Sequence, residues 1–318
     1  MVTDQAGRRL VVAILGPTAV GKSALAIALA ERFTGEIISC DSTAVYRGFD
    51  IGTDKVPITE QHGIPHHLID VVEPTDIYTA ADYARDASRT IREIQSRGHL
   101  PFVVGGTGFY YRALTRGLFP GPGRDEALRA RLDAVAARKG TPYLQRWLAK
   151  RDPSSARRIQ PNDRMRLVRA LEVLALTDRP LTEHFAATAS PIADMRVLAI
   201  ALRQPAEETS RRVTRRVEQQ FETGLLDEMR GLLARGVPEQ ARPFGGLVYR
   251  QALEHLHGVR DEAATRSLIA QENRRYARRQ LIWFRKEPNL QWFDGPGESP
   301  ATIDAVGRLL DEQLKTPQ

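Results

Sequence analysis

Eight consecutive residues, Gly16-Pro17-Thr18-Ala19-Val20-Gly21-Lys22-Ser23, spell the pattern G-x-x-x-x-G-K-[ST]. Each position has a use in gripping a polyphosphate. The glycines let successive backbone N–H groups turn inward, and a helix that follows adds partial positive charge at its start. Lys22 neutralises phosphate oxygens, and the Ser23 hydroxyl is a ligand for Mg²⁺. The pattern predicts a diphosphate or nucleotide held by Gly16 to Ser23, with the metal on Ser23. Two other clusters carry chemistry. Asp41-Ser42-Thr43 offers a carboxylate able to accept a proton, hold Mg²⁺ or cap a helix. Gly105-Gly106-Thr107-Gly108 permits close backbone approach and then presents a hydroxyl.

All three clusters follow short apolar runs, which is where open α/β sheets bind ligands, beyond the carboxyl ends of their strands. The runs 10–15, 36–40, 67–72, 101–104 and 196–202 read as strands, alternating with helical patterns at 23–33 and 79–97. That alternation predicts a doubly wound α/β fold around a parallel sheet. Between the fourth and fifth strands lie about 90 residues, read as helices over 124–138, 142–151, 154–160 and 162–176. A crossover needs far fewer. The excess predicts an all-helical insertion domain at 121–191, opened by Gly121-Pro122-Gly123, with 1–120 and 192–318 forming the P-loop core. Helices at 206–222, 225–235, 246–256 and 261–286 complete it, and the ends 1–8 and 314–318 read as disordered.

At 318 residues, 42% apolar and 27% charged, the chain has the composition of a globular protein. No apolar stretch reaches the ~18 residues of a membrane span, which predicts a cytoplasmic protein with no membrane partner. A single cysteine, Cys40, leaves no disulfide framework and no cysteine-based zinc site. His66-His67 is the one adjacent histidine pair, and neighbours on a strand face opposite ways, so it makes a poor chelate. The net charge of +7 comes from 46 basic and 39 acidic residues. Much of the excess lies in Arg211-Arg212, Arg215-Arg216, Arg274-Arg275 and Arg278-Arg279, arginines four apart on expected helices, which suit a polyanion or a solvated face. A nucleoside triphosphatase commonly has a long apolar strand ending in Asp; here Phe102-Val103-Val104 ends in Gly105, while Asp70 within HLIDVV keeps a small-molecule kinase in play.

Seven ordered blocks, GPTAVGKS, CDSTAVYRGFDIGTDK, PHHLIDVVEP, PFVVGGTGFY, RIQPNDRMRLVRALEV, GLVYRQ and RRQLIWFRK, resemble the bacterial tRNA dimethylallyltransferases from about residue 10 to 293. The resemblance implies transfer of a dimethylallyl group from dimethylallyl diphosphate to the exocyclic amine of the adenine 3′-adjacent to the anticodon, in tRNAs reading U-initial codons. The P-loop then holds the donor's diphosphate and no ATP is consumed. The implied catalytic residues are Asp41 as base, Thr107 beside the bridging oxygen, and Lys22 and Arg212 on the diphosphate. The implied tRNA contacts are Asp41, Ser42, Thr43, Ala44, Thr107, Arg129, Met165, Arg166, Leu167, Val168, Arg169, Gly246, Tyr249 and Arg250, with the insertion on the anticodon stem and the enzyme a monomer. Met165, Leu167 and Val168 equally suit a helix core, which favours Arg166 and Arg169 as the RNA contacts there, and Arg212 equally suits a surface. Two blocks depart from the family pattern: Thr43-Ala44 in the second, and GLVYRQ where V-G-Y-[RK]-[EQ] is usual. An adenylate isopentenyltransferase, prenylating a free nucleotide, is the nearest rival, and the long insertion argues against it.

Overall fold

A computed structural model describes residues 8–119, 121–186 and 188–314. The chain divides into two compact units, Met1–Thr115 with Pro191–Gln318, and Arg116–Ser190.

The first unit is an α/β layer fold on a six-stranded, all-parallel sheet of order β3-β2-β4-β1-β5-β6. Its elements run β1 (Leu10–Leu15), α1 (Lys22–Arg32), β2 (Gly35–Ser39), β3 (His66–His67), α2 (Ala80–Ser96) and β4 (Leu100–Gly105), then α3 (Gly108–Arg116). The apolar runs of β1, β2 and β4 are wholly buried, as central parallel strands must be when helices cover both faces. β1 pairs β4 with Leu15 opposite Gly105, and β2 pairs β4 with Ser39 opposite Val104. That register lines up three carboxyl ends, so the loops after β1, β2 and β4 emerge side by side. α1 buries Leu25, Ala26, Ile27 and Leu29 on the sheet. Fully burying a leucine or isoleucine side chain stabilises by about 1.5–3 kcal/mol.

The second unit holds α4 (Glu126–Lys139), α5 (Thr141–Ala149), α6 (Pro153–Arg158), α7 (Arg164–Thr177) and α8 (Leu181–Ala186). Its own core includes Leu132, Leu144, Leu148, Leu167 and Leu171. The chain then re-enters the first unit as β5 (Arg196–Arg203), α9 (Ala206–Glu222), α10 (Leu225–Ala234), α11 (Tyr249–Leu256), α12 (Glu262–Phe284), β6 (Leu290–Asp294) and α13 (Pro300–Leu314).

The strand expected over 67–72 shrinks to His66–His67. Leu68 and Asp70 both take positive φ, +60° and +54°, which breaks the extended run. The turn is secured by an ion pair of 2.5 Å from Lys55 Nζ to Asp70 Oδ1. The helix expected from 246 begins at Tyr249, since Val248 at φ +75° caps it. β6 and α13 were not foreseen: LQWFD mixes exposed and half-buried positions, so it lacks the apolar run that marks the inner strands. The ends expected to be disordered lie outside the described residues except for Arg8 and Leu314, the latter closing α13. Among the described residues no helix is long and apolar enough to cross a membrane.

Candidate active site

The loop between β1 and α1 takes the phosphate-cradle shape because Gly21 adopts φ +85° as the N-cap of α1, a conformation closed to most side chains. A second segment braces it. Gly297 N–H donates to Val20 O at 2.8 Å, and a Cβ on Gly297 would stand 2.7 Å from the Gly21 carbonyl carbon, so the 295–298 turn after β6 sits directly on the loop.

Thr18 to Ser23 line a cavity of about 590 Å³. Lys22 Nζ donates to Pro17 O at 2.6 Å. Burial, with the neighbouring Arg216 guanidinium second, pulls Lys22 down to about 8. The cavity continues past Ala24, Ile27, Ala28 and Glu31 of α1, nine residues beyond Lys22. At 1.5 Å per residue this is a groove about 14 Å long. Ile37, Val56, Ile69 and Val104 add apolar wall. Ser39, Thr53, Asp54, Lys55, Glu60, His62 and His66 also line it, so the groove carries both apolar and polar wall beyond the cationic end at Lys22 and Arg216.

Asp41 lines the same cavity. No helix follows it; its Oδ1 instead accepts from Thr43 N at 2.8 Å and Thr43 Oγ1 at 2.6 Å, an Asx turn that aims the carboxylate. Oδ2 carries no hydrogen bond among the described residues, which leaves an acceptor for a proton. Ala44 also lines the cavity, while Ser42 and Thr43 stand beside it. Thr107 lies one residue beyond the lining Gly106; its Oγ1 accepts from Ser42 N at 3.1 Å and its N–H donates to Cys40 O at 3.1 Å. Cys40 itself is buried, its thiol pushed up to about 12 by burial, and inert.

Arg212 is placed differently from expectation. It pairs with Glu208 at 2.9 Å and with Glu298, and does not line the cavity. Arg216, one helical turn further along α9, does: its Nη1 donates to Thr18 Oγ1 at 2.8 Å and lies 3.0 Å from Asp54 Oδ2. Burial pushes the Asp54 carboxyl up, against the pull of Arg216 and a 3.0 Å hydrogen bond from Gln220. The spacing of the arginine stripe already held both residues; only the packing of α9 says which one turns inward. Tyr276 and Gln280, four apart on α12, also line the cavity; the sequence reading passes over them because they sit among arginines that suit a polyanion or a solvated face. Asp70 does not line it, so the carboxylate that a kinase reading needs is committed to Lys55 instead.

The remaining expected RNA contacts sort by exposure. Tyr249 is 1% exposed: its hydroxyl donates to Glu228 Oε1 at 2.6 Å and its ring packs on Phe49, which gives it a core role. Arg250 pairs with Glu272 at 2.9 Å. Gly246 lies near the Asx turn, a Cβ on it standing 3.9 Å from Thr43 Cγ2. Within the insertion, Leu167 and Val168 are core residues, whereas Met165 is 83% exposed. Arg166 is exposed beside Asp163 at 3.2 Å. Arg129 and Arg169 both hold the fully buried Glu172, at 2.8 Å and 2.6 Å. Burial pushes the Glu172 carboxyl up, but hydrogen bonds from the two guanidiniums outweigh it and hold the group at about 2.

Residues 44–287 match the model of a family described as IPP transferase. The chain belongs to the IPP transferase family. It is 46% identical over 308 residues to a tRNA dimethylallyltransferase of Solibacter usitatus (strain Ellin6076), covering 95% of this chain and 99% of that one. A tRNA dimethylallyltransferase of Koribacter versatilis (strain Ellin345) is 44% identical, with 95% and 98% coverage. Among solved structures, the full-length tRNA isopentenylpyrophosphate transferase of Bacillus halodurans superposes with a TM-score of 0.71 at 37% identity, covering 96% of this chain and 97% of that one. A eukaryotic dimethylallyltransferase acting on tRNA gives 0.78 at 26% identity, with 95% and 78% coverage.

Proposed function

We propose that this chain transfers a dimethylallyl group from dimethylallyl diphosphate to the exocyclic amine of the adenine 3′-adjacent to the anticodon, in tRNAs reading U-initial codons, and releases diphosphate. The observation that carries the reading is one cavity with Lys22 and Arg216 at its phosphate end, an apolar wall, and the Asp41 carboxylate facing the same space. That is the arrangement an allylic diphosphate and a weakly nucleophilic amine require together.

The adenine amine delocalises its lone pair into the ring. As that nitrogen bonds to the allylic carbon and the carbon–oxygen bond to diphosphate breaks, its proton passes to Asp41 Oδ2. A positioned base of this kind contributes roughly 10²–10⁴ in rate. Lys22, Arg216 and the loop amides take up the charge that gathers on the departing diphosphate. Thr107, held by Ser42, fixes the wall beside Asp41. The target base must leave its stack to reach the cavity, as in other enzymes that act on bases.

Mg²⁺ fits the donor set. Ser23 Oγ is exposed at the cavity with no partner among the described residues, and those residues contain no cluster of three His, Cys, Asp or Glu side chains. An ion held by one hydroxyl, substrate phosphates and water has the coordination Mg²⁺ prefers, and when bound it supplies charge neutralisation on the diphosphate. Met165 and Arg166 are the exposed insertion residues among those expected to meet the anticodon stem-loop, with Gly246 and Thr43 beside the acceptor. The enzyme works as a monomer in the cytoplasm.

The experiment is transfer of labelled dimethylallyl from its diphosphate, in Mg²⁺, to an anticodon stem-loop carrying the target adenine, beside AMP as acceptor and ATP as donor. Label on the RNA alone supports the reading. Label on AMP moves the chain to the free-nucleotide reaction, and phosphate transfer from ATP overturns the proposal.

A further inference from the structure

Gln280 lies on α12, 262 residues from Thr18 and 174 from Gly106, yet it touches both. Its Oε1 accepts the Thr18 backbone N–H at 2.9 Å, and its Nε2 donates to Gly106 O at 2.9 Å. The side chain is buried and lines the cavity. One planar amide therefore uses its acceptor end on the phosphate loop and its donor end on the residue preceding Thr107. A glutamine amide offers an acceptor and a donor at a fixed separation without charge and at every pH.

Resting on the reading above, we propose that Gln280 is a positioning residue that couples the loop holding the diphosphate to the loop carrying Thr107, so that donor occupancy sets the geometry of the acceptor wall. Three features make the coupling rigid. Thr18 is also held by Arg216 through its hydroxyl at 2.8 Å, so the bridge ends on an anchored residue. Gly106 is followed by Thr107, whose hydroxyl and N–H tie to Ser42 and Cys40, the residues on either side of Asp41. A Cβ on Gly106 would displace the Gln280 Nε2 amide end, so amide and backbone are in direct contact. A displacement of the phosphate loop thus passes through Gln280 and Gly106 to the segment that presents Asp41. Buried, doubly bonded polar groups of this kind specify one arrangement of the chain around them.

Two substitutions attack the bridge from opposite ends. Gln280→Met keeps the length and removes both hydrogen bonds; Gly106→Ala pushes a methyl group into the amide. The first readout needs no acceptor: hydrogen–deuterium exchange of residues 105–108 with and without inorganic pyrophosphate. The wild type is expected to gain protection there on binding, and each variant to bind pyrophosphate without that gain. The second readout is transfer to the stem-loop, where kcat is expected to fall on the order of 10²-fold while the KM for RNA stays unchanged. The double variant is expected to be no worse than either single one, since both break one bridge. Protection retained in Gln280→Met, or additive losses in the double variant, overturns the coupling. Absence of transfer by the wild type overturns the proposed function instead, and leaves the exchange result to decide the role of Gln280. Melting temperature, followed in parallel, separates lost coupling from lost folding.

Discussion

Ser42 donates its backbone N–H to Thr107 Oγ1 at 3.1 Å, and so locks the turn that aims Asp41 to the loop that ends β4. The two residues come from neighbouring strands whose register is set by Ser39 opposite Val104, three residues before each. The Asp41 carboxylate and the Thr107 hydroxyl are therefore positioned by sheet pairing and by the hydrogen bond between their loops.

Asp41→Asn keeps the acceptor oxygen that the Thr43 N–H and hydroxyl need, so the Asx turn survives while proton acceptance is lost. Transfer is expected to fall by about 10²–10⁴ with RNA affinity unchanged. Single-turnover transfer beside a filter-binding titration checks it; full activity in the variant removes Asp41 as base.

Arg216 and Arg212 are one helical turn apart and both pair with carboxylates, but only Arg216 lines the cavity. Arg216→Ala is expected to raise the KM for dimethylallyl diphosphate and lower kcat, because it removes a cation at the phosphate end and the hydrogen bond to Thr18. Arg212→Ala is expected to act more weakly, through the Glu298 contact that helps seat the 295–298 turn. Steady-state kinetics of the pair decides, and a larger loss at Arg212 would reverse the assignment.

Lys22 sits at about 8, so it is charged below that pH and neutral above it. Affinity of the free protein for inorganic pyrophosphate is expected to weaken as pH rises through that value. Calorimetric titration of the wild type against Lys22→Met isolates the effect, since the ionisation of pyrophosphate itself is common to both. Parallel pH profiles would mean Lys22 stays charged throughout.

Glu172, held at about 2 against an ordinary value of 4.5, contributes stability that is present above the ordinary value and is lost as pH falls through the folded one. Glu172→Gln leaves Arg129 and Arg169 facing a neutral amide and is expected to destabilise the insertion by roughly 3–5 kcal/mol at neutral pH, with the gap closing in acid. Denaturant unfolding across that pH range measures it. The same ion pairs mean that Arg129→Ala should reduce transfer by loosening the insertion, visible as a lowered melting temperature before any change in RNA contact.

What the sequence determined by itself is local. A glycine at the N-cap, a lysine and a serine after it, and apolar runs spaced by helical patterns each encode backbone conformation within a few residues, so the start of α1 behind Gly21, the parallel sheet and the helices between β4 and β5 were legible. Helix faces were legible too, but not which face meets which partner. Tertiary structure chose Arg216 over Arg212, placed Gln280 between loops 262 and 174 residues away, seated the 295–298 turn on the phosphate loop, and put Tyr249 and Glu172 in cores. It also replaced the strand expected over 67–72 with His66–His67, as Leu68 and Asp70 leave the extended region and Asp70 pairs with Lys55. These outcomes depend on contacts between segments far apart in the chain, where periodicity carries no information and the pairing of helices on the sheet decides which side chain reaches the cavity.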